Sequence, residues 1–237
     1  MIGGTWQTAA PERSSSSALN QFASVMVVLP VFVQAPWVRL HPFSAVLFTS
    51  VFLSLGLILH LGGTGRRAEL GSLLVGFSGS WLAGCLFWGW LRAHPAIHLP
   101  IEAFALPLGL AGLRTRWHLA AGFYLASLLG TACTDLMMLI SGVMPFWPLV
   151  VNAPIGESSL LLRSAAEQVL QPPVFALLGL ATSLILVTAN QLKSRARKAG
   201  TNGECMSMAA AVLTTTLWVD GLFLLAALLQ PGMSGLI

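Results

Sequence analysis

Three carboxylates stand where this chain is otherwise apolar. Glu102 falls in HLPIEAFALPLGL, Asp135 in GTACTDLMML and Asp220 in TLWVDGLFLL. A charged side chain at the centre of a bilayer costs about 3 kcal/mol or more, so such groups turn toward a protein interior or a water-filled cavity. There they could bind a ligand or carry protons. His98 and Arg92 lie close to Glu102 in sequence and complete the candidate binding set: Glu102, Asp135, Asp220, His98 and Arg92.

Their depths compare through the rise of a helix, about 1.5 Å per residue. Glu102 follows His98 by four residues, Asp135 precedes Ser141 by six, and Asp220 precedes Leu229 by nine. All three then fall in the same half of the membrane, the outer half in the orientation argued below. His41, His94, Arg39 and Arg92 gather at or just beyond the same boundary. Pro100 suits a first helical turn, whereas Pro107 breaks the backbone ladder and frees a carbonyl near residue 103. Against a shared pocket stands a plainer arrangement. Glu102 and Asp220 are then near-interface groups satisfied by water or Arg92, and Asp135 bonds between helices through Thr131.

Other chemistry finds little support. His94 and His98 have i,i+4 spacing, but Pro95 and Pro100 argue against a regular helix that would aim both at a metal. No metal and no catalytic residue is assigned. A single histidine ligating haem or a pigment leaves no spacing signature, so the cofactor stays unknown. There is no Walker A loop, GxGxxG, HExxH or GxSxG. Cys85, Cys133 and Cys205 form no CxxC pair.

The elements that must position these groups follow from composition. Charged residues make up 8% of 237 and hydrophobic ones 56%, with mean hydropathy +0.80. A soluble domain is about 25% charged. The chain is therefore expected to be an all-α, polytopic membrane helix bundle that touches lipid and not nucleic acid. Seven runs approach the roughly 20 residues needed to cross: 22–38, 43–61, 71–91, 98–113, 117–141, 173–192 and 206–229. The first carries Pro30, Gln34 and Pro36. The fourth is short, and either crosses or turns back. Residues 1–21 read as a disordered tail, 22–229 as one membrane domain and 230–237 as a short C-terminal tail.

With seven crossings, Arg13, Arg66, Arg67, Arg114, Arg116, Lys193, Arg195, Arg197 and Lys198 share one side, nine against Arg39, Arg92 and Arg163 on the other. If the fourth run turned back, the split would be eight to four. Basic residues concentrate on the cytoplasmic side, which places the N-terminus there and assigns the net charge of +4 to topology. Tryptophans at span ends agree, since an apolar ring with a polar N–H suits the interface. In the longest connection, 142–172, ESSLLLRSAAEQVL reads as an amphipathic helix with an Arg163–Glu167 pair and Ser158 or Ser159 as its cap. Ser72, Gly76, Ser80 and Gly84, and likewise Gly122, Ala126, Gly130 and Thr134, form small-residue stripes that let helices approach closely within the chain.

The stretches WLAGCLFWGWLR, HLPIEAFALPLGL and GTACTDLMMLISGVMPFW resemble a family of cyanobacterial integral membrane proteins of unknown function, over about residues 75 to 190. The resemblance implies a photosynthetic bacterium and a thylakoid or plasma membrane. It supplies no catalytic residue. The expectation it favours is a non-enzymatic accessory or assembly factor of a photosynthetic membrane complex. The buried acids favour a small proton- or ion-linked transporter with an outer-side acidic pocket. A membrane-embedded enzyme acting on a lipid, quinone or pigment is the third reading.

Overall fold

The computed structural model describes residues 12–199 and 203–229. The fold is helical, with no strand among the described residues. In chain order the helices are α1 (Glu12–Leu29), α2 (Ala35–Leu40), α3 (Pro42–Gly62), α4 (Arg66–Leu86), α5 (His98–Glu102), α6 (Leu106–Gly112), α7 (His118–Ile140), α8 (Phe146–Asn152), α9 (Ile155–Val169), α10 (Pro172–Ala196) and α11 (Gly203–Leu229). Among the described residues seven stretches are long and apolar enough to cross a membrane: Ser17–Leu40, Pro42–Gly62, Arg66–Leu91, Pro95–Gly112, His118–Ile140, Pro172–Ala196 and Gly203–Leu229. They coincide with the seven expected runs.

The first stretch is not a regular helix. A π-helical turn, Pro30–Gln34, joins α1 to α2, with the Ala35 N–H donating to the Pro30 carbonyl. A widened turn accommodates prolines that would clash with an ordinary ladder. It also delivers Gln34 into the core, where its Nε2–H₂ donates to the Trp81 carbonyl and to Cys85 Sγ. The helix begins at Glu12, so the expected disordered tail is corrected over residues 12–21. Leu19 and Ala23 are buried, and Asn20 Nδ2 donates to Ser207 Oγ at 2.9 Å. That packing against α11 holds the polar turns in helical form. Residues 1–11 and the expected tail 230–237 lie outside the described residues.

The fourth stretch runs the length of the bundle beside α7. His98 meets Asp135 at one end, Gly109 lies against Tyr124 and Leu125, and Gly112 lies against Ala121 near the other. It therefore traverses the bundle instead of turning back. Its helix is broken between α5 and α6 by a 3₁₀ turn, Ala103–Ala105, and restarts with Pro107 in the first turn of α6.

The most buried span is α4, packed against α3, α7 and α1. Both small-residue stripes face inward. Gly76 abuts the Ala120 backbone and Gly130 abuts Thr216, while Ser72 Oγ accepts the Ala120 N–H at 3.1 Å. The basic ends separate as expected. Trp117 stacks on His60 with ring centroids 4.1 Å apart, and Cys205 Sγ donates to the His118 carbonyl. These contacts bring the Arg66–Arg67, Arg114–Arg116 and 193–198 segments to one end. At the other end, Trp147 Nε1–H donates to the Arg92 carbonyl at 2.6 Å and Phe43 packs on Trp90.

The connection 142–172 holds α8 and the expected amphipathic α9. Arg163 Nε donates to Glu167 Oε1 at 3.0 Å. Leu162 and Ala166 are buried with Ala227 of α11, so this face of α9 rests on the bundle. The expected cap is corrected: Pro154 precedes the helix, and Ser158 lies inside it, donating back toward the Val150, Ala153 and Pro154 carbonyls. A proline just before the helix sets the entry geometry without a side-chain cap.

A side chain at Gly76 would collide with backbone rather than with a movable side chain. Gly76→Val is expected to cost about 1–3 kcal/mol and to lower the thermal unfolding midpoint in detergent. Gly179→Ala, inside α10 with open space around it, should leave the midpoint unlowered or raise it slightly.

Candidate functional site

The break between α5 and α6 leaves main-chain polar groups without helical partners, and unsatisfied groups inside hydrocarbon are costly. Tyr124 of α7, the only tyrosine in the sequence, bridges the break. Its hydroxyl donates to the Glu102 carbonyl and accepts the Ala105 N–H at 3.1 Å. This pins α5 at a fixed height on α7 and presents the Glu102 side chain inward, with the residue 9% exposed.

His98, one turn earlier on α5, lies between two acids. Its Nδ1 is 3.0 and 3.1 Å from the two carboxylate oxygens of Asp135, and its Nε2 is 4.0 Å from Glu102 Oε1. The ring packs beside aromatic neighbours, with centroids 4.3 Å from Phe87 and 6.5 Å from Trp147. Asp135 thus engages His98 across the bundle, and not Thr131 as the plainer arrangement expected. The neighbouring Thr134 donates to Asp220 Oδ2 of α11 at 2.7 Å. His98 and Thr134 thus link Glu102 of α5 and Asp220 of α11 to neighbouring positions on α7.

These groups open on one cavity of about 290 Å³. Glu102, Asp135, Asp220 and His98 all line it, and among the described residues no lysine or arginine does. Its remaining wall is chiefly apolar and aromatic: Phe77, Trp88, Phe123, Phe146, Trp147 and Phe223. Four of the five expected site residues therefore meet. Arg92 does not join them; it sits at the rim, engaged through its main-chain carbonyl by Trp147. Nor does Arg92 partner Glu102, whose nearest basic group is His98.

The two ring nitrogens of His98 point to different carboxylates, so the cluster does not converge on one point. Among the described residues no group of three His, Cys, Asp or Glu side chains is arranged to hold a metal ion. Sequence reading missed Tyr124, Thr134 and Gln34. A lone tyrosine or a glutamine between prolines inside apolar runs was the available signal, because each polar group there needs a partner.

The chain belongs to the DUF3120 family of proteins of unknown function, whose match covers residues 23–228. This is wider than the stretch over which the resemblance was seen. No curated protein and no solved structure matches the chain.

Tyr124→Phe removes the group that serves both sides of the break. The loss is expected to be about 1–3 kcal/mol, read as a lower thermal unfolding midpoint. It should be accompanied by faster hydrogen exchange at the Ala105 amide.

Proposed function

We propose that this protein is a small proton-linked transporter that takes apolar cations into the cavity beside Glu102, Asp135 and Asp220, without covalent chemistry. One observation carries the reading: three carboxyl groups and one imidazole share an aromatic cavity that no lysine or arginine among the described residues lines. Unpaired buried carboxylates are costly. Either protons or a cationic ligand can neutralise them, and that exchange is the physical basis of coupling. Aromatic faces add attraction for an organic cation. His98 holds Asp135 in place, and its other ring nitrogen lies 4.0 Å from Glu102 Oε1.

The expected orientation, N-terminus cytoplasmic, puts this cavity nearer the outer face. We also place the chain, by its resemblance, in the thylakoid or plasma membrane of a photosynthetic bacterium. The accessory-factor reading retains one supporting observation. α10 is the least buried span and presents Phe175, Leu180, Leu184 and Val187 outward. That face suits lipid, and it also suits a helix of a larger photosynthetic complex.

The test is flux in proteoliposomes loaded with a pH-sensitive dye, driven by a gradient of benzyltrimethylammonium. The wild-type chain is expected to move protons against the cation. The Glu102→Gln, Asp135→Asn double variant should lose roughly tenfold or more of that flux, as losing partners of buried charges costs at least 2 kcal/mol. No cation-dependent flux from the wild type, together with photosynthetic subunits co-purifying in mild detergent, would replace this reading with the accessory one.

A further inference from the structure

A second cavity, of about 260 Å³, is walled by α7, α9, α10 and α11. Its lining is apolar, with Met137 of α7, Leu178 and Ile185 of α10, and Leu217 and Leu224 of α11. Among the described residues Asp220 is the one acidic or basic side chain on that wall. Asp220 and Thr134 also line the acidic cavity, so the two spaces are neighbours divided at the Thr134–Asp220 hydrogen bond. The second space is open at the side. Leu178, Ala181 and Ile185 are half-buried, and Gly221 on its rim is exposed. A Cβ added at Gly221 would meet nothing within 4 Å. Gly221 stands eight residues before Leu229, the end of α11, which is roughly 12 Å of helix. The opening therefore faces hydrocarbon and not water. α10, the least buried span, screens it little.

A molecule reaches such an opening from within the membrane, which selects for apolar chains. The carboxylate on the same wall selects for positive charge. We propose that the second cavity receives the alkyl chain of the cation whose head is held at Asp220. The inference rests on the cation reading above and specifies its substrate class: single-chain organic cations with a straight alkyl tail, taken up sideways from the lipid. The dimensions agree. Along α11 the lining runs from Leu213 to Ala227 with Asp220 midway. At about 1.5 Å per residue this gives roughly 10 Å of largely apolar wall on each side of the carboxylate. The acyl chain of an ordinary membrane lipid would cover the apolar wall and leave Asp220 without a positive partner, whereas a cationic amphiphile satisfies both. Each methylene moved from water onto this wall adds to affinity.

The experiment measures tritiated benzyltrimethylammonium bound to the full chain in lipid nanodiscs, and its displacement by alkyltrimethylammonium ions from ethyl to decyl. For the wild type the displacing concentration is expected to fall about fourfold per methylene until the cavity is filled. Gly221→Leu and Ala181→Phe place bulk in the second cavity at residues that do not line the first. In each, the octyl-to-ethyl affinity ratio should drop about tenfold or more, the equivalent of roughly two excluded methylenes. Partition of long chains into the lipid acts alike in every preparation, so the change in ratio reads the cavity alone. If Ala181→Phe does not fold, Gly221→Leu decides the matter, because its side chain enters open space. The same ratio in the wild type and the folded variants overturns this inference alone and leaves the second cavity to a membrane lipid. No benzyltrimethylammonium bound to the wild type overturns the cation reading together with it.

Discussion

The pairing of His98 with Asp135 is the interaction on which the rest of the site depends. It joins the broken fourth span to α7 across 37 positions of sequence and gives a half-buried carboxylate a partner where no arginine or lysine among the described residues lines the cavity. Without it Asp135 would stand between two other acids with nothing to offset their repulsion. With it the histidine ring becomes a fixed wall of the cavity, packed against Phe87 with Trp147 beside them. The backbone break at Ala103–Ala105 is the companion constraint. A continuous helix would carry Glu102 on a different schedule of faces, and the Tyr124 hydroxyl makes the interruption tolerable in hydrocarbon.

Two further devices keep the space open. The π-helical turn at Pro30–Gln34 bends the first span and sends a glutamine to α4, which ties the outer wall to the central helix. Glycines and small polar residues on α4 and α7 bring those helices and α11 close where they touch. At Ser80, Gly84, Ser127 and Thr131 the same small side chains face the cavity and leave volume instead of filling it. The result is an aromatic chamber with its charge at one end. The adjoining apolar cavity, about 260 Å³, shares Thr134 and Asp220 with it, so the Thr134–Asp220 hydrogen bond stands at their common wall.

Much of this was legible in the residues. Length and hydropathy sufficed for the seven spans, because a bilayer demands about 20 apolar residues and few other patterns satisfy that. The common depth of Glu102, Asp135 and Asp220 followed from counting residues to span ends, and the segregation of basic residues followed from the number of crossings. What could not be read was direction around each helix axis. Depth alone placed Arg92 beside Glu102, yet its side chain does not reach the cavity. Thr131 stands four residues before Asp135 and Thr134 one, and only packing against α11 decides that Thr134 serves Asp220. The helix at residues 12–21 escaped notice because its stability comes from α11, distant in sequence, and not from its own polar composition. Ser158 misled for a related reason: a serine near a helix start signals a cap, but here Pro154 had already set the entry.

The central claim is that Glu102, Asp135 and Asp220 face one shared space. Labelling of the membrane-embedded chain with dicyclohexylcarbodiimide, an apolar reagent for carboxyl groups, tests it directly by intact-mass and peptide mass spectrometry. The account predicts modification at these acids, no more than one adduct per chain because a cavity of about 290 Å³ admits one bulky label, and protection of all three sites by benzyltrimethylammonium. Two or three adducts on single chains, or protection of one acid without the others, would contradict a common cavity.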